Sequence, residues 1–386
     1  MFLHQLTLQN LLSFGDTPCV VLLRPLNVLI GPNGSGKSNF VEVIGLLQGA
    51  ARALAKPVRN SGGVGEWLWK GARDAVALVE SIAKNPKGSQ PLRHTLKFKA
   101  TGQRFELIDE AIENSQKYDG QNDVYFYYRF FNNRPMLNVK GENRVLRRED
   151  VDPEQSILSQ RKDPDEYPEV TYLAQCYDQI HLFREWSMGR YTAPRMPQRA
   201  DLRNDRLDED FANLGMMLNR LRRDKVAKER LLEMLNQLYP RIDDFDVSVE
   251  GGTVQVFFQE GNFTIPATRL SDGTLRYLCL LVILLQPNPP PLVCIEEPEL
   301  GLHPDVLPGL ADLLREASQR MQLVVTTHSD ILVDALSDTP EDIVICEKHD
   351  GATTMRRLES DKLKVWLEKY TLGQLWRSGE LGGNRW

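Results

Sequence analysis

The stretch LNVLIGPNGSGKSNFVEVIGLL, Leu26 to Leu47, carries the reading on which the fold turns. Leu26 to Ile30 make an apolar run of strand length. Gly31-x-x-x-x-Gly36-Lys37-Ser38 follows, and then Phe40, Val41, Ile44 and Leu47 recur at helical spacing. Strand, glycine-rich turn and helix start in that order make a phosphate loop. Its glycines let the backbone wind so that successive N–H groups converge on a β-phosphate at a helix N-terminus. Lys37 reaches the β and γ oxygens and Ser38 offers a hydroxyl to Mg²⁺; Gly31, Pro32, Asn33, Gly34, Ser35, Gly36 and Asn39 complete the expected contact set. ATP and Mg²⁺ are the expected ligands.

A second chemical element is PLVCIEEPELGLHP, in which Leu292 to Ile295 read as a buried strand ending in two carboxylates. In a parallel sheet the strand C-termini gather the active site, so both carboxylates are expected on the phosphate-loop edge. Glu296 is expected beside Mg²⁺, and Glu297 beside the γ-phosphate, where a carboxylate orients and polarises the attacking water. In QLVVTTHSDILVDAL, Leu323 to Val325 make a further short strand with His328 just past its end. A histidine there can hydrogen-bond the γ-phosphate and the attacking water.

Together these elements resemble the ABC-type ATPases, more narrowly their SMC, RecF and overcoming-lysogenization-defect (OLD) branch. The resemblance extends from Gly31 to His328 and gives a role to LSDGT, Leu270 to Thr274, which is similar to the LSGGQ signature of that superfamily. Such a signature caps the γ-phosphate bound by a second, head-to-tail protomer, so Ser271 and Gly273 are implied nucleotide contacts and a homodimer is implied. Asp272 and Thr274 depart from the commonest form. Asp272 sets a negative side chain near a phosphate, and is expected to point away or to bind a neighbouring donor. Glu296 stands where aspartate is usual, a variant that looks like the OLD-type branch. For the Q-loop role, which senses Mg²⁺, Gln155 and Gln160 precede YPEVTYLAQ, and Gln160 is the preferred choice.

The resemblance implies an α/β P-loop ABC-ATPase head, with a mostly parallel core sheet, an antiparallel β-subdomain and a compact helical lid insertion. The opening LHQLTLQNLLSFGD is similar to the first strand of such heads. Alternating segments at Leu92 to Ala100, Arg104 to Ile108 and Asp123 to Phe131 fit the antiparallel part, and a hairpin is expected around Gly251-Gly252. The Tyr/Phe run within Asp123 to Phe131 reads either as strand with one buried face or as a base-stacking platform. The expected organisation is an N-terminal lobe over 1–150, a helical, Arg-rich lid over 151–245 and a C-terminal lobe over 246–386. No heptads sustain a coiled-coil arm; DEDFANLGMMLNRLRRDKVAKERLLEMLNQLYP reads as one broken helical pair. Fewer than sixty residues follow His328, too few for the Toprim nuclease of OLD-family proteins, so no nuclease is expected on this chain.

At 386 residues and 41% hydrophobic content the chain can bury a substantial core. No apolar run approaches a membrane span and the N-terminus lacks a signal-peptide layout, so a cytoplasmic protein with no membrane association is expected. Five scattered cysteines (Cys19, Cys176, Cys279, Cys294, Cys346) read as free thiols. The net charge of −6 argues against wholesale nucleic-acid coating. One local exception is Arg184 to Arg230, with twelve Lys/Arg against eight Asp/Glu; it could meet DNA or RNA phosphates, a phage protein or a partner subunit, or be a solvated face. The terminal YTLGQLWRSGELGGNRW, with Trp376 and Trp386, reads either as a docking tail or as a packed terminus. The functional expectation is a hydrolysing, dimerising ATPase similar to the ATPase subunits of Septu and PARIS anti-phage systems, which control a separately encoded effector. The alternative is a DNA-repair clamp that closes on nucleotide binding with slow or no turnover. A transporter ATPase fits less well, because its signature lies nearer the P-loop.

Overall fold

The computed structural model describes residues 1–131, 134–139, 142–145 and 152–383. The chain divides into two compact units, Met1–Ile180 with Ile343–Leu358 and Leu381–Trp386, and His181–Asp342 with Glu359–Glu380. The boundary expected at 150 and 151 lies outside the described residues, as does Trp386.

In the first unit the strand Leu26–Ile30 is buried at every position, which explains why it is apolar but for Asn27, whose side chain bonds the backbone of Arg24: a strand covered on both faces has no solvent side to alternate with. It pairs in parallel with Ile343–His349, Ile30 against Ile345, and Ile343–His349 pairs antiparallel with Ala352–Arg357. An eight-stranded antiparallel sheet runs in the order Cys19–Leu22, Leu3–Gln9, Ala77–Ala83, Leu92–Thr101, Arg104–Asn114, Phe126–Phe131, Arg134–Val139, Glu142–Val145. Its alternating sequence segments are strands with one buried face, as in Ala77–Ala83 and Leu92–Thr101. The aromatic run follows the same rule: Tyr128 and Phe130 are buried, and Tyr127 donates its hydroxyl to Asn114 Oδ1 at 2.9 Å. Burial accounts for those rings without base stacking. The short helix Ile157–Gln160 and the helix Pro168–Asp178, from the stretch expected to be a lid, also belong to this unit.

The second unit holds three parallel strands, His181–Phe183, Leu292–Glu296 and Gln322–Thr326, with Leu292–Glu296 in the middle. A separate antiparallel sheet joins Asp244–Glu250, Thr253–Glu260, Phe263–Pro266 and Gln198–Arg199. Its main hairpin turns on Gly251 and Gly252, both at positive φ, the conformation that a two-residue turn of this kind demands. The broken helical pair forms as Leu214–Leu221 and Lys225–Leu238. Asp224 interrupts it by capping the second helix, its carboxylate accepting from Ala227 N at 3.1 Å. The helix Asp272–Leu285 is buried from Thr274 to Leu285, all round its circumference, as its continuous apolar sequence requires.

The C-terminal part of this unit packs rather than docks. The helix Leu372–Arg377 opens with a capping box between Thr371 and Gln374, and Leu372, Leu375 and Trp376 are buried. The docking-tail reading of Trp376 is therefore corrected: its ring belongs to the core. Among the described residues no helix is long and apolar enough to cross a membrane. The five cysteines are free, and burial pushes the Cys346 thiol up to about 12.

Candidate functional site

In the first unit the turn after Ile30 winds through three glycines at positive φ, Gly31 (150°), Gly34 (79°) and Gly36 (104°), before the helix Lys37–Ala50 starts. Two of them are also fixed by space. A Cβ at Gly31 would lie 2.2 Å from Cys346 O, and one at Gly36 would lie 2.3 Å from Thr353 Oγ1. Lys37 is buried and curls into the loop, Nζ donating to Gly31 O at 2.8 Å and Pro32 O at 3.1 Å. Asn33, Gly34 and Ser38 are exposed, and the buried Ser35 Oγ has no hydrogen-bond partner. A cradle that no side chain could fill, holding an ammonium at its centre, fits a nucleotide's phosphates and a cation beside Ser38.

Two residues that sequence reasoning missed brace this loop. Thr353 Oγ1 donates to Ser35 O at 2.9 Å and meets Ser13 Oγ at 2.7 Å, while Asn39 Nδ2 donates to Ser13 Oγ at 2.8 Å. Asn39, expected as a nucleotide contact, is thus in the brace. A hydroxyl hundreds of residues away leaves no periodic or motif signal. Gln160 accepts from Asp152 N at 3.0 Å and donates to Gln155 O at 3.1 Å, and Gln155 accepts from Leu54 N at 3.1 Å. Both glutamine side chains hold backbone in this structure.

Gly31→Ala should damage both stability and binding. The strained φ alone costs about 1–3 kcal/mol, and the Cβ must also displace the backbone at Cys346. A thermal melt should show a lowered midpoint and no further rise on adding ATP with Mg²⁺.

The second unit gathers the carboxylates, the histidine and the signature-like turn. Glu296 ends its strand, takes Arg184 Nε at 2.6 Å, and its carbonyl accepts from Trp186 Nε1 at 2.8 Å. Glu297 has φ 47°, a left-handed conformation that costs a residue with a Cβ about 1–3 kcal/mol and is concentrated at functional sites. Its N–H donates to Thr326 O at 3.0 Å, tying it to the neighbouring strand, and its carboxylate lies 3.8 Å from His328 Nε2. Glu299, which sequence reasoning passed over, secures the histidine turn: Oε1 accepts from Thr327 Oγ1 at 2.7 Å and from His328 N at 2.8 Å. The third carboxylate of EEPEL was the signal for it.

Arg276 was also missed. Its guanidinium is buried over the Trp186 ring, 4.6 Å from the centroid, and burial pulls its pKa down to about 10 against the opposing charges of Glu299 and Glu297. Ser271 caps the helix Asp272–Leu285, its Oγ accepting from Thr274 N at 3.1 Å. Gly273 is needed because a Cβ there would come within 2.6 Å of Gly301 O. Asp272 does bind a neighbouring donor, Arg195 Nη2 at 2.5 Å. Among the described residues no group of three or more His, Cys, Asp or Glu side chains is arranged to hold a metal ion by itself.

Three arginines of the basic stretch are engaged. Arg195 is buried, Arg199 pairs with Asp201 at 2.5 Å and Arg203 with Asp205 at 2.6 Å. The R-x-D spacing of both exposed pairs was legible in RADLRND. A count of positive charge over the segment does not tell these paired side chains from the rest.

Comparison with known proteins matches residues 26–334 to the family described as "AAA domain, putative AbiEii toxin, Type IV TA system". The chromosome partition protein Smc of Halothermothrix orenii is 36% identical over 127 residues, 32% of this chain and 10% of that protein. The chain thus spans about a tenth of the length of the curated relative it matches. An Smc head bound to the C-winged helix domain of ScpA superposes with TM-score 0.61 at 15% identity, covering 94% of this chain and 99% of the other. An Smc head with an extended coiled coil, bound to the C-terminal domain of ScpA derived from Pyrococcus furiosus, gives 0.60 at 14% identity over 95% and 99%. These likenesses show the fold to be that of an SMC-type P-loop ATPase head.

Proposed function

We propose, from the premise that this chain belongs to the AAA-domain family matched over residues 26–334, that it hydrolyses ATP at sites shared between two head-to-tail copies. The family implies nucleotide binding, usually with Mg²⁺. The observation that carries the catalytic half of the proposal is Glu297, held at a strained φ with its carboxylate 3.8 Å from His328.

Mg²⁺, when bound, neutralises phosphate charge and polarises the terminal phosphoryl group. Ser38 and Glu296 are the residues assigned to hold it, and Gln160 is kept as the Q-loop candidate. Glu296 is matched by Arg184 in this structure, so cation binding there has a guanidinium to compete with. Lys37 neutralises the β and γ oxygens. Glu297 accepts a hydrogen bond from the attacking water, orients it, and takes its proton as the bond from water oxygen to the γ-phosphorus forms and the bond from that phosphorus to the bridging oxygen breaks, the electron pair leaving with ADP. His328 steadies that carboxylate and the water. Ser271 and the N-terminus of its helix supply donors to the γ-phosphate held by the other copy.

The ATPase cycle is proposed to hold or release a separately encoded effector, as in the Septu and PARIS systems of anti-phage defence to which the motif set is similar. The helix Ser360–Leu367 supports a protein partner, for it has no buried residue and leaves Val365 and Trp366 exposed. Nucleic acid is left out of the proposal because Arg195, Arg199 and Arg203 are all committed to partners within the second unit.

Glu297→Gln tests this reading. The amide keeps the shape of the site and loses the base, so turnover should fall about 10²–10⁴-fold while ATP accumulates on a stable dimer. Glu296→Gln should instead raise the Mg²⁺ concentration needed for half-maximal activity. Sizing each variant with ATP and Mg²⁺, alongside a Mg²⁺ titration, decides the matter; identical behaviour of the two would overturn the assigned roles.

A further inference from the structure

Arg195 differs from the other arginines of its segment in where its guanidinium goes. It is 7% exposed, and Nε donates to Met188 O at 2.7 Å. Nη1 donates to Thr268 O at 3.0 Å and Leu270 O at 2.7 Å, and Nη2 donates to Asp272 Oδ1 at 2.5 Å. Thr268 and Leu270 precede Ser271, and Asp272 follows it. One buried cation therefore binds the chain on both sides of the serine that caps the helix.

Gly301 approaches the first helical turn closely from a second direction, its carbonyl lying where it would stand 2.6 Å from a Cβ at Gly273. Asp272 itself remains 74% exposed in its side chain, so its charge is displayed at the helix start. A carboxylate in the first turn suits the helix dipole, but it repels an anion approaching the same N–H groups. Arg195 is placed to cancel that repulsion while keeping the turn in shape.

We propose that Arg195 is a positioning residue for the signature-like turn: by neutralising Asp272 and fixing Thr268 to Asp272, it makes this helix start receptive to the γ-phosphate carried by a second copy of the chain. The inference rests on the shared-site reading above and names a residue which that reading does not use. It also accounts for an aspartate in a phosphate-facing motif.

The test measures dimerisation by sedimentation with ATPγS and Mg²⁺, and nucleotide affinity with a fluorescent ATP analogue at protein concentrations too low for dimers. Arg195→Met keeps the length and removes charge and donors. It should raise the protein concentration for half-dimerisation by about tenfold or more, since a bare carboxylate then faces the incoming phosphate and like charges brought together at an interface repel. Nucleotide affinity of the single chain should stay within about twofold. Asp272→Asn added to Arg195→Met removes the bare carboxylate and should recover most of the loss, a rescue that general damage to packing would not give.

Wild-type dimerisation by Arg195→Met overturns the proposal. So does loss without rescue by Asp272→Asn, and so does loss of nucleotide affinity, which would make Arg195 a support of the fold at large. Ser271→Arg is run in parallel. If it dimerises normally, the shared-site reading fails and this inference with it; if it fails to dimerise while Arg195→Met succeeds, only the role of Arg195 is lost.

Discussion

A chain carrying Lys37→Ala should fold normally and lose ATP affinity by at least about 30-fold. Lys37 is 6% exposed and its ammonium is fixed by the carbonyls of Gly31 and Pro32, at the centre of the loop where the β and γ oxygens must come. Removing one partner of a buried, hydrogen-bonded charge pair costs about 2–5 kcal/mol. That corresponds to a loss of affinity between roughly 30-fold and several thousand-fold. The two freed carbonyls lie in a loop whose neighbours Pro32 and Asn33 reach solvent, so the variant should melt near the unaltered temperature. Ligand linkage gives the readout: ATP at about 100 times its Kd stabilises a binding protein by roughly 2.7 kcal/mol, and that increment should fall to about 0.9 kcal/mol or less. Gly31→Ala should lose the same increment and also melt lower, which separates lost charge from lost loop geometry. Undiminished ATP stabilisation in Lys37→Ala would overturn the phosphate-loop assignment.

The parts of this fold that were readable in the sequence are those fixed by local physics. Leu26–Ile30, apolar but for Asn27, and Leu292 to Ile295 are buried strand segments, and their ends fall where glycine or glutamate interrupts the run. The break between the helices Leu214–Leu221 and Lys225–Leu238 was legible because Asp224 is a good N-cap in a charged cluster. What was not legible depends on partners distant in the chain. Thr353 and Ser13 brace the phosphate loop, yet neither belongs to a motif, and their contact spans 340 residues. Arg195 read as one more charge on a basic surface because composition reports the sign of a charge and not its destination. For Trp376 the sequence left a docking tail and a packed terminus open, because a Gly-rich neighbourhood does not say whether the ring is covered, and the ring is buried. Asp272 is the instructive intermediate: its chemistry demanded a donor, and only the fold supplied Arg195.

Mixing two inactive chains should restore activity. Lys37→Ala removes the phosphate-binding charge, and Ser271→Arg replaces the helix cap with a bulky side chain at the turn that faces the other copy. Each variant alone should be nearly inactive, because both sites of its dimer carry the same lesion. In a mixed dimer with shared sites, the altered loop of one chain meets the altered signature of the other, so both lesions fall on one site and the second site is intact. Random pairing makes half of the dimers mixed, so about a quarter of all sites should work. If each signature instead served its own loop, every chain in the mixture would still carry a lesion in its own site, and no activity would return. Measuring ATP-dependent dimerisation beside turnover separates the outcomes. Turnover near a quarter of the unaltered rate supports the shared site; dimers that form without turnover mean that the two sites fire together; a mixture that regains neither property counts against head-to-tail sharing and returns Ser271 to the role of an ordinary helix cap.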